Sequence, residues 1–242
     1  MRFAGQNAMI TGASSGIGKA VAAGLARGGA RLWVVGRSRE RLEQALCAAA
    51  GSALSVTAHE GDLGAPESLA AMAARLLQEL DSLDILVHCA GAISLGAIET
   101  LPAAEFDRQY NVNLRAPYVL TQAMLPLLRK SHGQVVFVNS TAGLRANANA
   151  AQYSATKHGL KALADSLRDE VNADGIRVLS VFSGRTNTPM QRSVADWEGA
   201  PWMPDCLLQP EDVAAALLDS LALPRTAELT DLSLRPFQKY PR

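Results

Sequence analysis

Charge of either sign in excess is missing from this chain of 242 residues: 23 Lys plus Arg stand against 23 Asp plus Glu. Nucleic-acid binding rests on surplus Lys and Arg, so the balance argues against it. It argues equally against a polybasic membrane-surface protein. Near-zero net charge removes one brake on self-association, which fits a homo-oligomer. Cysteine is scarce: Cys47, Cys89 and Cys206 are odd in number and far apart. No disulfide framework and no C-x-x-C metal or redox motif follows from them. His59, His88, His132 and His158 also lack metal-ligand spacing, so no metal site is expected. A reducing, cytoplasmic setting fits. Long hydrophobic runs are absent too. The longest nearly uncharged stretch, 85–98, is too short to span a bilayer and contains His88 and Ser94. The apolar residues 8–10 run at once into Thr11-Gly12-Ala13-Ser14, which is not a secretory leader pattern.

Apolar residues make up 48% of the chain, ample for one core. The length alone allows one or two domains. A strand-like run followed by a helical one recurs along the chain. Strands are predicted at 7–11, 31–35, 54–58, 83–87, 134–139, 176–182 and 227–232. Helices are predicted at 15–28, 39–50, 66–80, 103–130 (bent near Pro117), 150–172 and 210–221. This alternation implies an α/β fold with a doubly wound parallel sheet of about seven strands and helices on both faces. Continuous apolar strands fit burial of both sheet faces. No composition shift marks a boundary, so 1–242 reads as one domain.

The segment Thr11-Gly12-Ala13-Ser14-Ser15-Gly16-Ile17-Gly18 lies between the first strand and the first helix. Glycines there permit a tight turn, close approach of backbone N–H groups to a pyrophosphate, and tight helix packing. The helix N-terminus adds partial positive charge. Ser14 and Ser15 can add hydroxyl donors. A plain glycine-rich turn is the alternative, and the spacing G-x3-G-x-G differs from the commoner G-x-G-x-x-G. After the second strand, an acidic residue would bond the ribose 2′-hydroxyl of NAD. This chain has Gly36-Arg37-Ser38-Arg39 there. Arg37 suits a 2′-phosphate, which favours NADP(H). The alternative is that Ser38 caps the next helix and Arg37 is a solvated charge.

Tyr153 and Lys157 stand at i and i+4 of one predicted helix. A nearby cation lowers a phenol's pKa and brings it closer to acid–base use. Ser140 follows the strand 135–139, at the carboxyl end where open α/β sheets bind ligands. It can hydrogen-bond a carbonyl, or simply serve as a strand-end hydroxyl. Asn113 lies in a helical stretch, where Asn is a mediocre helix former. If buried it needs partners, such as an ordered water; otherwise it marks the bend near Pro117.

Taken together, T-G-x3-G-x-G at 11–18, Asp62-Leu63, Ala90-Gly91, Asn113, Ser140 and Tyr153-x3-Lys157 resemble the short-chain dehydrogenase/reductase family of compact, single-domain Rossmann type. The resemblance covers nearly the whole chain. It implies an oxidoreductase that interconverts a carbonyl and an alcohol, with Tyr153 as general acid in reduction and base in oxidation. It implies that Lys157 holds the nicotinamide ribose and lowers the Tyr153 pKa. Ser140 would polarise the carbonyl, and Asn113 would hold a water in a proton relay. Asp62, with Leu63, would meet the adenine, Ala90 and Gly91 the adenine ribose region, and the segment with Gly184, Thr186 and Thr188 the nicotinamide. A tetramer built partly from the Tyr153 helix and its neighbour is also implied. Two departures stand out: His88-Cys89 replaces Asn-Asn, and Ser183-Gly184 replaces Pro-Gly. The first changes how the central sheet is braced. The second gives up proline's fixed φ and leaves that loop freer.

Residues 188–208 carry large apolar side chains without strand or helix period and read as a substrate loop or lid. Met190, Trp197 and Trp202 are candidates to line an apolar pocket for a small carbonyl or alcohol substrate, with Leu95 and Leu144 approaching from other loops. The alternative is that the tryptophans pack on the core or a neighbouring subunit. Two other functions are weighed. A catalytically silent dinucleotide-binding sensor has no need of a proton donor. A methyltransferase would want an acidic residue where Gly36-Arg37 stands.

Overall fold

A computed structural model describes residues 1–50 and 55–238. Leu54, expected to open the third strand, and the side chain of Cys47 lie outside the described residues. Cys89 and Cys206 carry free thiols. The elements are β1 (Asn7–Thr11), α1 (Gly16–Arg27), β2 (Arg31–Gly36), α2 (Arg39–Ala50), β3 (Val56–Glu60), α3 (Pro66–Glu79) and β4 (Ile85–His88). They continue with α4 (Ala103–Tyr110), α5 (Ala116–Ser131), β5 (Gln134–Ser140), α6 (Ala151–Val171), β6 (Arg177–Ser183), α7 (Pro189–Glu198), α8 (Pro210–Leu221) and β7 (Asp231–Leu234).

The strands form one sheet in the order β3-β2-β1-β4-β5-β6-β7, all neighbours parallel. Alternate side chains of a strand point to opposite faces, and both faces are covered. Ile10, Val34, Val87 and Val136 pack with Val21 and Leu25 of α1 and Leu217 of α8. Met9, Val35, Leu86 and Phe137 pack with Leu69 of α3, Leu120 of α5 and Leu160 of α6. Phe137 and Phe182 are the largest fully buried side chains. Truncating either to Ala would cost about 3–5 kcal/mol, lost transfer energy plus a cavity. The strand order reverses between β1 and β4, so a ligand crevice opens outside their carboxyl ends.

Three expectations need correction. First, the long helix 103–130 is in two parts joined by a wide turn at Asn111–Arg115, where the Ala116 N–H bonds back to the Asn111 carbonyl, five residues earlier. Pro117 explains it: its ring would clash with the Asn113 carbonyl four residues earlier, and it has no N–H to offer. Widening the helix by one residue relieves the clash. Second, 188–208 is not without period, since it contains α7. Thr188 accepts the Gln191 N–H at 3.2 Å, Pro189 opens the helix, and Gly199 closes it in the left-handed region at φ 64°. Third, the last strand lies at Asp231–Leu234 rather than 227–232. The Arg177 guanidinium takes the carbonyls of Leu223, Pro224 and Ala227 at 3.1, 3.2 and 2.9 Å, which holds that stretch as a loop off the ladder.

Candidate active site

The carboxyl ends of β1, β4, β5 and β6 converge on one crevice. Gly12 has φ +72°, and a Cβ there would meet the Ala90 backbone nitrogen at 2.7 Å. A Cβ on Gly18 would collide with the Gly12 carbonyl oxygen. Bare backbone at both positions therefore packs turn, helix and β4 together. The Thr11 hydroxyl seals this corner by accepting the N–H groups of Cys89 and Ala90 at 3.1 and 3.2 Å. Ser15 stands at the N-cap of α1 in extended conformation, with no side-chain cap bond and no acidic residue in the first turn. The first-turn N–H groups are left for an anion. A side-chain-free cradle and an uncapped helix start fit a pyrophosphate bounded by Gly12, Ser14, Ser15, Gly16, Ile17 and Gly18.

At the end of β2, Arg37 is exposed and has no ion-pair partner among the described residues. Ser38 accepts the Arg41 N–H at 3.3 Å, the helix-capping role. The Gly61 N–H donates to the Gly36 carbonyl at 3.0 Å, which sets Asp62 and buried Leu63 beside Arg37. Asp62 Oδ1 accepts the Gly64 N–H at 2.9 Å.

The four residues Asn113, Ser140, Tyr153 and Lys157 come together. The Ser140 hydroxyl accepts the Ala142 N–H at 3.1 Å. Burial holds the Tyr153 phenol above its usual pKa, and the nearby Ser140 hydroxyl offsets part of that rise. The expectation that Lys157 lowers it is corrected. The Lys157 ammonium donates to the Val138 carbonyl at 3.2 Å and lies 5.8 Å over the Tyr153 ring centroid, over the ring face. Lys157 is itself buried, which pushes its pKa down to about 8.

Asn113 is fully buried. Its amide nitrogen donates to the Ala92 carbonyl at 2.8 Å and to the Thr156 hydroxyl at 3.1 Å, and its oxygen accepts the Ala92 N–H at 2.7 Å. The side chain is thus committed to protein groups. Its backbone carbonyl is the group free of an α-helical donor, because residue 117 is proline. Thr156 passes the connection on by donating to the Tyr153 carbonyl at 2.8 Å.

The two departures have structural answers. His88 stacks on Phe137 of β5 with ring centroids 5.1 Å apart, and its Nε2 meets the Thr121 hydroxyl of α5 at 2.8 Å. Burial pushes its pKa down to about 3, so it braces the sheet as neutral imidazole. Burial likewise pushes the Cys89 thiol up to about 12. Ser183 donates its hydroxyl to the Asn139 carbonyl at 3.3 Å.

Beyond β6, Gly184 donates to the Leu234 carbonyl at 2.8 Å and accepts the Thr186 hydroxyl at 3.0 Å. A parallel bridge between Thr186 and Leu208 closes the base of the 188–208 flap. The Thr188 methyl lies 2.8 Å from where a Cβ on Gly16 would sit, and the Met190 methyl 3.5 Å from a Cβ on Gly91. The flap therefore reaches the glycine turn, and Met190 the site. Trp197 and Leu144 are exposed, and Leu95 is half-buried. Trp202 lies under the Arg192 guanidinium at 5.2 Å, a contact made within the flap itself. Thr11, Asn139 and Thr156 were not singled out in the sequence. Thr11 and Thr156 lie inside recognised motifs, whereas Asn139 gave no signal beyond adjoining Ser140. Among the described residues no His, Cys, Asp and Glu group could hold a metal ion, and no helix is long and apolar enough to cross a membrane.

Comparison with known proteins agrees with this geometry. The short chain dehydrogenase family profile matches residues 6–199. An uncharacterized oxidoreductase of Staphylococcus epidermidis is 30% identical over 230 residues, 95% of this chain and 96% of that protein. Among solved structures, the alcohol dehydrogenase of the archaeon Thermococcus sibiricus, complexed with 5-hydroxy-NADP, superposes with a TM-score of 0.86 at 29% identity, covering 98% of this chain and 99% of that one. A metagenomic short-chain oxidoreductase in complex with NADP gives 0.83 at 29% identity, covering 99% and 100%.

Proposed function

The chain belongs to the short-chain dehydrogenase/reductase family, and on that premise we propose that it is an NADP(H)-dependent oxidoreductase interconverting a carbonyl and an alcohol. The observation that carries the proposal is the grouping of Ser140 and Tyr153 at the β5 strand end with buried Lys157 and Asn113, Asn113 being tied through Thr156 to the Tyr153 backbone. In reduction the Tyr153 O–H donates its proton to the substrate oxygen. A phenol held above its usual pKa stays protonated throughout the neutral range, as a general acid must. The Ser140 hydroxyl donates to the same oxygen and orients it. The Lys157 ammonium is held by Val138 one turn from Tyr153 and serves the ribose hydroxyls of the cofactor. The Asn113 backbone carbonyl holds a water that resupplies the proton. NADPH held by the glycine turn and Lys157 would supply the hydride for the carbonyl carbon. This proton-donor set argues against the catalytically silent sensor.

NADP(H) is preferred because Arg37 stands exposed beside Asp62, where a 2′-phosphate would lie, and two structural neighbours were solved with NADP or a derivative. Gly12 to Gly18 cradle the pyrophosphate, Asp62, Leu63, Ala90 and Gly91 flank the adenosine, and Gly184, Thr186 and Thr188 line the nicotinamide side. The 188–208 flap, with Met190 innermost, covers a small uncharged substrate. Leu95, Leu144, Trp197 and Trp202 complete its walls. Self-association through the face of α4 and α5 fits their exposed Phe106, Tyr110 and Tyr118. The test is NADPH oxidation across aldehydes, ketones and β-ketoacyl thioesters. Turnover abolished by Tyr153→Phe with NADPH binding kept is expected. Binding without turnover on any probe would overturn the proposal.

A further inference from the structure

Lys157 is held at both ends by consecutive residues of β5. Its ammonium donates to the Val138 carbonyl at 3.2 Å, and its backbone carbonyl accepts the Asn139 side-chain amide at 3.0 Å. The oxygen of the same Asn139 amide accepts the Ser140 N–H at 2.8 Å. One carboxamide thus ties the peptide that carries the Ser140 hydroxyl to the helix that carries Tyr153. Asn139 is 3% exposed, so no water substitutes for either bond. Gly143 makes its seat: a Cβ there would come 2.7 Å from both the Asn139 Oδ1 and the Lys157 carbonyl oxygen. Ser183, opposite Ser140 in the sheet register, grips the Asn139 carbonyl from β6 at 3.3 Å. A proline at 183 would have no hydroxyl for this bond.

We propose that Asn139, secured by Ser183, is a positioning residue for the reaction, fixing the Ser140 hydroxyl against the Tyr153 phenol by bridging β5 to α6. The proposal rests on the reading of Ser140 and Tyr153 as the acid pair. A carboxamide is the one short side chain with a donor and an acceptor spaced for both bonds. Asp has no donor for the Lys157 carbonyl, and Ser is too short to reach it. Release of the bridge lets the strand tip and helix settle independently, and a misplacement of about 1 Å at such a pair costs up to about a hundredfold in rate.

The experiment uses the full chain with Asn139→Ser and, as the gentler variant, Ser183→Ala. The Tyr153 phenol is titrated by difference absorbance after rapid pH jumps, each variant being subtracted against its own Tyr153→Phe counterpart. NADPH affinity is read by fluorescence, turnover with ethyl acetoacetate as probe, and folding by the urea midpoint. For Asn139→Ser the Tyr153 titration is expected to move upward, because the Ser140 hydroxyl that offsets burial is no longer held near the phenol. Turnover should fall by about tenfold or more with NADPH affinity little changed. Ser183→Ala should move both in the same direction by less. A folded Asn139→Ser protein with an unchanged Tyr153 titration overturns the proposal, even if its stability and NADPH affinity fall. If Asn139→Ser does not fold, an unchanged titration in Ser183→Ala overturns it. Absence of wild-type turnover would count against the proposed function, whereas the titration still tests Asn139.

Discussion

The two walls of the crevice are built differently. On one side Asn113, Asn139, Thr156 and Lys157 are at most 4% exposed, and the bonds Asn113–Thr156, Asn139–Lys157 and Lys157–Val138 link β5, α6 and the wide helical turn. On the other, the 188–208 flap is joined at its base by the Thr186–Leu208 bridge and by the two-bond Arg185–Glu198 pair at 2.7 and 2.6 Å. Trp197 and Met203 there are 51% and 38% exposed. The flap thus shows more side chain to water than the bonded wall. The difference teaches where each task is carried. Proton transfer needs groups held within about 0.5 Å, which rigid elements provide. Admission of substrate needs a part that moves.

The largest effect that would break this contrast is at Tyr153. Tyr153→Phe should lower turnover by about 10²–10⁴-fold, the usual worth of a positioned acid. NADPH affinity should hardly change, as checked by fluorescence titration. A small loss of rate would mean that the bonded wall serves only the fold. Behind the wall, His88 sets the next effect. Its folded pKa of about 3 lies below the ordinary 6.5, so the unfolded chain binds a proton that the native chain refuses. Its contribution is complete above pH 6.5 and is lost as pH falls toward 3, at about 1.4 kcal/mol per pH unit. His88→Asn removes this titration. Urea midpoints at pH 7, 6 and 5 should show the stability gap between wild type and variant closing or reversing as pH falls. A gap independent of pH would refute a neutral buried His88.

The same contrast explains what could be read from the chain alone. Burial on both faces writes short apolar runs, so β1, β4 and β5 were legible to within a residue or two. Tyr153, Lys157 and Ser140 were legible as spacing and as strand-end position. The direction of the Tyr153 shift was not, because it depends on burial and on the Lys157 ammonium turning to Val138. The wide turn at Asn111–Arg115 escaped a periodicity reading, since an inserted residue breaks the period; only Pro117 hinted at it. Helix α7 buries little besides Ala195, so it lacks an apolar stripe. Its Thr188 cap, Pro189 start and Gly199 stop were nonetheless in the sequence and were the signals to follow. Asn139 could not be told from an ordinary strand residue until its two bonds were seen.

Arg37 sharpens the comparison from outside both walls, because it is exposed and yet expected to matter. A charge-assisted bond to a 2′-phosphate is worth about 1.5–3 kcal/mol. Arg37→Ala should therefore weaken NADPH binding by about 10–100-fold, with NADH binding and the urea midpoint unchanged. Titration of both cofactors with both proteins checks this. An equal loss for NADPH and NADH would refute the phosphate role and leave Arg37 as a general surface charge.

The smallest effect is expected at Trp197, and it divides fold from flap most finely. Half of this side chain already faces water, so little is lost to the core when it is removed. Trp197→Ala should shift stability by less than about 0.5 kcal/mol, as surface substitutions do. If the flap lines the substrate space, kcat/KM for a bulky aromatic ketone should fall by about threefold to tenfold, since trimming a hydrophobic pocket costs about 1 kcal/mol or more. The value for a small aldehyde should hold, because the acid pair and the cofactor turn are untouched. A urea midpoint that falls with no change in either kcat/KM would instead make Trp197 a packing residue, and the flap would then belong with the wall it faces.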